Sequence, residues 1–517
     1  MKPFANQTYL NFNDPKVLRR QKQAIEKVRS GFGREYPNII NGKEVFTEKK
    51  TKSINPAHPN EVVGIFQKSG KDDAENAIQA AAKAFEFWKK VPARTRANYL
   101  FKAAAELRRR RYEINAWMIS EVGKNYLEAD ADTCEAIDFL EFYGREAIRY
   151  SQKQPLTKIK GEKNEYFYIP LGVGLIIPPW NFPLAILTGM TSAAIVTGNT
   201  VVLKPSSDSP MMGWILYETF KKVGLPDGVL NFLVASGAEA GDYLVAHPKT
   251  RFISFTGSME VGLHINELAA KLSPGQIWIK RVIAEMGGKD AIIVDSEADL
   301  EEAVKGVVVS AFGFQGQKCS ACSRAIVDKK VYDKFISMLK TEVEKIQIGD
   351  PKDNYPMGPV INASAEKNIL SYIEIGKKEG KLIYGGKKVA GLEGYYIEPT
   401  IFIDVDSKAR IAQEEIFGPV LAVIKAEDFD DALRIANDTI YGLTGSVYSN
   451  NREKLMKARD EFHVGNLYFN RKCTGALVDV HPFGGFNMSG TDSKAGGRDY
   501  LLLFLQGKSV SEKILKK

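Results

Sequence analysis

Short apolar runs alternate with amphipathic stretches along most of this chain, and that alternation limits the fold more than any other feature. Runs at 166–169, Val173–Ile177, Thr200–Leu203, 229–234 and 252–255 are rich in β-branched and aromatic residues, and helical patterns begin at Met211, Ala238 and Met259. A hairpin cannot join strands that are separated by a helix, so such strands pair in parallel through right-handed crossovers. A second set starts at 291–294, passes through a helix predicted over 300–314 and a strand at 323–327, and continues to Tyr468. Two mostly parallel α/β sheets are therefore expected, divided near Gly287-Gly288. Upstream, 72–111 and 128–150 carry helical periodicity. The apolar run 500–505 is expected to be a strand that pairs with another subunit.

At 517 residues the chain has room for about three units of ~150 residues, and 44% hydrophobic with 26% charged residues is a globular balance. The segment 171–203 is mostly apolar and uncharged, but Pro178, Pro179, Asn181 and Pro183 interrupt it. Consecutive prolines block a helix, so it is expected to be a buried strand, turn, helix and strand rather than a membrane span. The net charge of +8 is spread over 71 basic and 63 acidic residues. The four arginines at 108–111 follow a helical stretch and are expected on its solvated face, so no nucleic-acid partner is expected. Four cysteines are too few for a disulfide framework and fit a reducing compartment. The first residues lack an apolar signal core, and a cytoplasmic location is expected.

Three segments carry candidate chemistry. Gln317-Lys-Cys-Ser-Ala-Cys322 holds the one close pair of cysteines, which suits a zinc half-site, a redox pair or a single reactive thiol. Zinc needs about four ligands and no second CxxC or HxxxH is present, so no metal is expected. Glu285-Met-Gly-Gly-Lys289 puts a carboxylate before a glycine pair, and Pro179-Trp-Asn-Phe-Pro183 holds an amide in a stiff turn. Thiolate attack on a carbonyl makes an oxyanion that wants two fixed donors, and the Asn181 side chain with the Cys319 N–H can supply them. A later hydrolytic step needs a base, which Glu285 can be. Taken singly, Asn181 is equally a turn residue, Glu285 a terminal charge and Cys319 a small buried side chain.

Taken together, PWNFP, KPSS, FTGSMEVG, EMGGK, FGFQGQKC and EEIFGPV occur in the order found in the aldehyde dehydrogenase superfamily, which the chain resembles over nearly its whole length. The resemblance implies Cys319 as nucleophile, Asn181 as oxyanion donor and Glu285 as base. Ligands of open α/β sheets bind at the carboxyl ends of strands, which places Lys204 near an adenosine ribose, and Gly257 with Ser258 at a helix start facing the pyrophosphate. The resemblance also assigns Trp180 to the cofactor site, and Glu415 and Phe417 to the nicotinamide ribose and ring. Strictly NAD-dependent relatives commonly carry glutamate where this chain has Ser207, so NAD is expected with NADP as an alternative.

The long segment before Asn38, with 138–143, Gly475-Ala476, the 481–490 segment and Lys494-Ala-Gly-Gly, resembles the Δ1-pyrroline-5-carboxylate dehydrogenase (L-glutamate γ-semialdehyde dehydrogenase) family. That resemblance implies oxidation of the semialdehyde to glutamate in proline and arginine catabolism. It places Ser320, Gly475 and Ala476 on the substrate carboxylate, and the expected packing of the aliphatic chain is between Phe182 and Phe486. A dehydrogenase for another small aldehyde and a non-catalytic relative are the alternatives. The expected fold is α/β, with two Rossmann-like parallel-sheet domains and a small β oligomerisation element. Residues 1–150 and 171–288 are assigned to the NAD(P)-binding domain, 289–485 to the catalytic domain, and 151–170 with 486–517 to the oligomerisation element of a dimer or higher homo-oligomer.

Overall fold

The computed structural model describes residues 2–514. Residues 515–517 of the stretch assigned to oligomerisation lie outside it. The first of two seven-stranded sheets runs Arg281–Glu285, Thr250–Thr256, Val173–Ile177, Thr200–Leu203, Leu230–Phe232, Asn38–Ile40, Lys43–Val45. Its first five strands are mutually parallel and the last two are added antiparallel. Successive side chains of a strand point to opposite faces. Val201 and Leu203 accordingly enter one core, beside helices Ala93–Val122, Tyr126–Tyr150 and Ala185–Val196, while Val202 enters another beside helix Lys71–Trp88. Both faces being covered, the central strands Val173–Ile177 and Thr200–Leu203 are nearly continuous apolar runs instead of alternating.

The second sheet runs Lys381–Tyr384, Thr400–Ile403, Val420–Ala426, Cys322–Asp328, Asp290–Val294, Thr444–Tyr448, Asn466–Phe469, parallel except at the 381–384 edge. Ile293 and Ile326 face one core; Ile292, Ala325 and Val327 face the other. The α/β architecture with two largely parallel sheets is as the alternation implies.

Four local expectations need correction. Residues 500–504 are not a strand: Tyr500–Phe504 is a 3-10 turn, with Tyr500, Leu501 and Phe504 buried. The strand is Leu505–Lys513, and its partner is Glu162–Pro170 of the same chain, in nine antiparallel pairs. The helix Leu300–Phe312 stops short of 314, because Phe314 (φ 50°) and Gln315 (φ 57°) adopt left-handed backbone in the turn Gly313–Gly316. At 238 a π turn, Gly237–Gly241, precedes the short helix Asp242–Ala246. Of the four arginines, Arg111 is buried and makes a two-pronged ion pair with Asp130, and the others pair with Glu141, Glu106 and Glu113. Among the described residues no helix is long and apolar enough to cross a membrane.

Candidate active site

Strands of the first sheet deliver their carboxyl ends to one edge. Asn181 follows Val173–Ile177, Lys204 follows Thr200–Leu203, Gly257 follows Thr250–Thr256, and Glu285 closes Arg281–Glu285. Cys319 lies just before Cys322–Asp328, the strand of the second sheet that pairs with Asp290–Val294. The segment Gly287-Gly288 joins the two sheets, and contact with backbone makes glycine necessary at Gly288. A Cβ on Gly288 would sit 2.6 Å from the Cys319 carbonyl oxygen, and one on Gly287 would sit 2.1 Å from the Glu415 carboxylate. This close approach brings Glu285, Cys319 and Glu415 to one site.

Asn181 is buried and its Nδ2 donates to the Gln317 carbonyl at 3.1 Å, which ties its loop to the nucleophile loop. One amide hydrogen is thereby committed and the other has no acceptor among the described residues. The Cys319 N–H has no acceptor among the described residues. Cys319 is part-exposed, and its exposure is to a cavity of about 90 Å³. Burial, then the Glu285, Asp290 and Glu415 carboxyls, hold its thiol well above the ordinary range, so the resting group is protonated. Burial also lifts the Glu285 carboxyl to about 7, opposed by the Lys494 ammonium. A carboxyl that titrates near neutrality is matched to accepting and releasing a proton there.

The residues expected to hold a dinucleotide lie along the same edge. Lys204 is buried with no acceptor for its ammonium among the described residues, and burial alone lowers it to about 8. An unpaired buried cation is costly and is suited to polar ligand atoms. Ser207 is exposed in the following turn. Ser258 caps the 12-residue helix Met259–Ala270, and Gly257 packs so tightly on Phe255 that a Cβ would lie 2.6 Å from its ring. The Trp180 and Phe417 rings meet edge to face at 5.5 Å. Glu415 accepts from the Gly288 N–H at 3.2 Å, and burial lifts its carboxyl to about 7. This set has the donors and helix start that a dinucleotide requires.

The cavity beside Cys319 is walled by Phe182, Ser320, Gly475 and Ala476, as expected, but not by Phe486. Phe486 pairs with Gly442 and packs on His463 with Lys494 over its ring; Phe483, three residues earlier, takes the wall position. Glu135, Tyr143, His481 and Tyr500 also line the cavity; none was expected as a site residue, although Tyr143 and His481 lie in the 138–143 and 481–490 segments that carry the resemblance. The Glu135 carboxyl has no hydrogen-bond partner among the described residues, and burial lifts it to about 8. The Ser320 hydroxyl and the Gly475 and Ala476 N–H groups are likewise without partners among them.

A covalent thiol site placed against the ligand edge of a nucleotide-type parallel sheet is the arrangement of a thiol-dependent dehydrogenase. Within that class the chain belongs to the aldehyde dehydrogenase family, whose profile matches residues 45–510. It is 58% identical over 490 residues to the 1-pyrroline-5-carboxylate dehydrogenase of Geobacillus kaustophilus, covering 95% of each chain. It is 55% identical to 1-pyrroline-5-carboxylate dehydrogenase 2 of Bacillus subtilis, covering 99% of each. A solved 1-pyrroline-5-carboxylate dehydrogenase from Thermus, with bound NAD, superposes with a TM-score of 0.98 at 53% identity over 99% of both chains.

Proposed function

We propose that this enzyme oxidises L-glutamate γ-semialdehyde, the open form of Δ1-pyrroline-5-carboxylate, to L-glutamate in proline and arginine breakdown, with NAD as oxidant. The observation that carries the reading is the cavity beside Cys319, where three uncharged donors without partners among the described residues share an apolar pocket with the Glu135 carboxyl, a second one besides that of Glu285. Ser320 and the Gly475 and Ala476 N–H groups suit an α-carboxylate, since hydrogen bonds to an ionised group are the stronger ones. Glu135 suits the α-ammonium, whose charge draws the carboxyl toward its ionised form. Phe182 and Phe483 are placed for the methylenes between. The high identity to enzymes of that name supports the same assignment.

The Cys319 sulfur attacks the aldehyde carbon and its thiol proton passes to solvent, so the carbonyl π-bond becomes an oxyanion that takes hydrogen bonds from the Asn181 amide and the Cys319 N–H. Lys204, Gly257, Ser258, Trp180, Glu415 and Phe417 would hold NAD, which would supply the hydride acceptor needed to oxidise this adduct to a thioester. Glu285 then takes a proton from water as the water attacks the thioester, and the sulfur leaves. Ser207 carries a second reading, that NADP is also accepted, because a serine there does not repel a 2′-phosphate.

Residues 1–150 with 171–288 as the dinucleotide domain and 289–485 as the catalytic domain follow from this assignment. The ribbon of Glu162–Pro170 and Leu505–Lys513 supports an oligomerisation element, since a lone two-stranded ribbon is barely stable in water. Four free thiols support a reducing, cytoplasmic setting. The test is NADH formation over a panel of aldehydes. Glutamate semialdehyde should far exceed propanal, and Ser320→Ala should narrow that gap; equal oxidation of both would leave only a general aldehyde dehydrogenase.

A further inference from the structure

The turn that carries Gly475 and Ala476 is fastened from behind. Arg471 follows the strand Asn466–Phe469 and lies outside the cavity wall, its guanidinium 4.2 Å from the centre of the Tyr468 ring. Its Nη2 donates to the Thr474 carbonyl at 3.1 Å and to the Gly475 carbonyl at 2.9 Å. Its Nη1 lies 3.2 Å from Nε2 of His481, a residue of the cavity wall. The Ser446 hydroxyl donates to the Arg471 carbonyl at 2.6 Å, which fixes the main chain from which the side chain reaches.

In a trans peptide the C=O of one residue and the N–H of the next point in opposite directions from a single plane. A guanidinium holding the Thr474 and Gly475 carbonyls on its own side therefore turns the Gly475 and Ala476 N–H groups the other way. Those are the two N–H groups without a partner among the described residues, in two residues that line the cavity. Gly475 has φ +80°, a backbone state that local preference alone does not enforce. The positive charge also sits one peptide away from the anion site and polarises both planes toward it, while leaving the thiol without an adjacent fixed cation.

We propose that Arg471 is a positioning residue for substrate selection: it presets the two peptide planes that bind the substrate carboxylate. This rests on the semialdehyde reading above. Lys472, whose Cε lies beside Gly475, is a cation of the same turn that bonds neither carbonyl, and it separates positioning from simple attraction of an anion.

The experiment measures kcat/KM for glutamate semialdehyde and for propanal in the wild type, Arg471→Met, Arg471→Lys and Lys472→Met, and compares the ratio of the two efficiencies. Methionine keeps contact with Tyr468 and donates nothing, so the ratio should fall about 10- to 100-fold in Arg471→Met. Arg471→Lys should fall between, because one ammonium cannot hold both carbonyls in the geometry of the fork. Lys472→Met should keep most of the ratio. If Arg471→Met does not fold, Arg471→Lys decides by the same ratio. A wild-type ratio near one refutes the semialdehyde reading itself. A large wild-type ratio that survives in the Arg471 variants, or that falls equally in Lys472→Met, overturns the role of Arg471.

Discussion

Replacing Glu285 by glutamine keeps the shape of the side chain and removes its charge, and the consequences for turnover and for stability have opposite signs. Burial lifts this carboxyl from its ordinary 4.5 to about 7. At ~1.4 kcal/mol per tenfold, that corresponds to roughly 3 kcal/mol by which ionised Glu285 destabilises the folded chain above neutral pH. In the window between these values the folded state holds a proton that the unfolded state has lost, so stability falls as pH rises through it. Glutamine has no such dependence. The gap in stability between Glu285→Gln and wild type, in favour of glutamine, should therefore widen by about 2 kcal/mol from pH 5.5 to pH 8. Paired denaturant titrations at the two pH values measure it. The same variant should give one burst of NADH and then stall at the thioester, while wild-type turnover falls as pH drops below about 7. A stability gap that is flat with pH, or steady turnover in the variant, would refute the argument that a buried, proton-accepting Glu285 is the base.

Cys319→Ala should abolish oxidation and leave NAD binding nearly intact by calorimetry; steady activity in that variant would falsify the nucleophile assignment. Asn181→Ala should lower kcat by ~10² to 10³, the usual effect of losing one oxyanion donor, seen in single-turnover hydride transfer. Ser207→Glu should depress kcat/KM for NADP far more than for NAD, and negligible NADP use by the wild type would dispose of the second cofactor reading. Phe483→Ala should cost about tenfold or more in kcat/KM for the semialdehyde and Phe486→Ala much less; the reverse order would restore Phe486 to the substrate wall.

Residues whose place at the site is fixed by immediate neighbours were legible in the sequence. Asn181 sits among three prolines, Glu285 before two glycines that a Cβ would block, and Lys204 directly after an apolar strand, so local pattern and position coincide. Residues selected by the path of a loop were not. Phe483 and Phe486 flank Gly484-Gly485 symmetrically in sequence, and only the pairing of Phe483 with Ala495 and of Phe486 with Gly442 decides which ring faces the cavity. Glu135 was hidden for another reason. Its helix also buries Asp130, Asp132 and Asp138, so the charge pattern does not mark a solvent face from which an inward carboxyl stands out. Tyr500 lies in a run of leucines that suits a strand as well as a tight helical turn, and stacking on Tyr143 at 5.5 Å settles its place.

For the oxyanion role proposed for Asn181, the tie to the Gln317 carbonyl also bears on where the work of catalysis is done. A side-chain amide free to rotate would spend entropy each time it met a developing negative charge, and nearby solvent would have to reorient with it. Here one hydrogen is anchored at 3.1 Å and the loop is stiffened by Pro178, Pro179 and Pro183, so the remaining hydrogen keeps one direction before any substrate arrives. The ordering cost falls on folding, once per molecule, and not on each reaction cycle. Substitutions that loosen this loop without touching Asn181 should therefore slow the chemical step while leaving the affinity for the aldehyde nearly as it was.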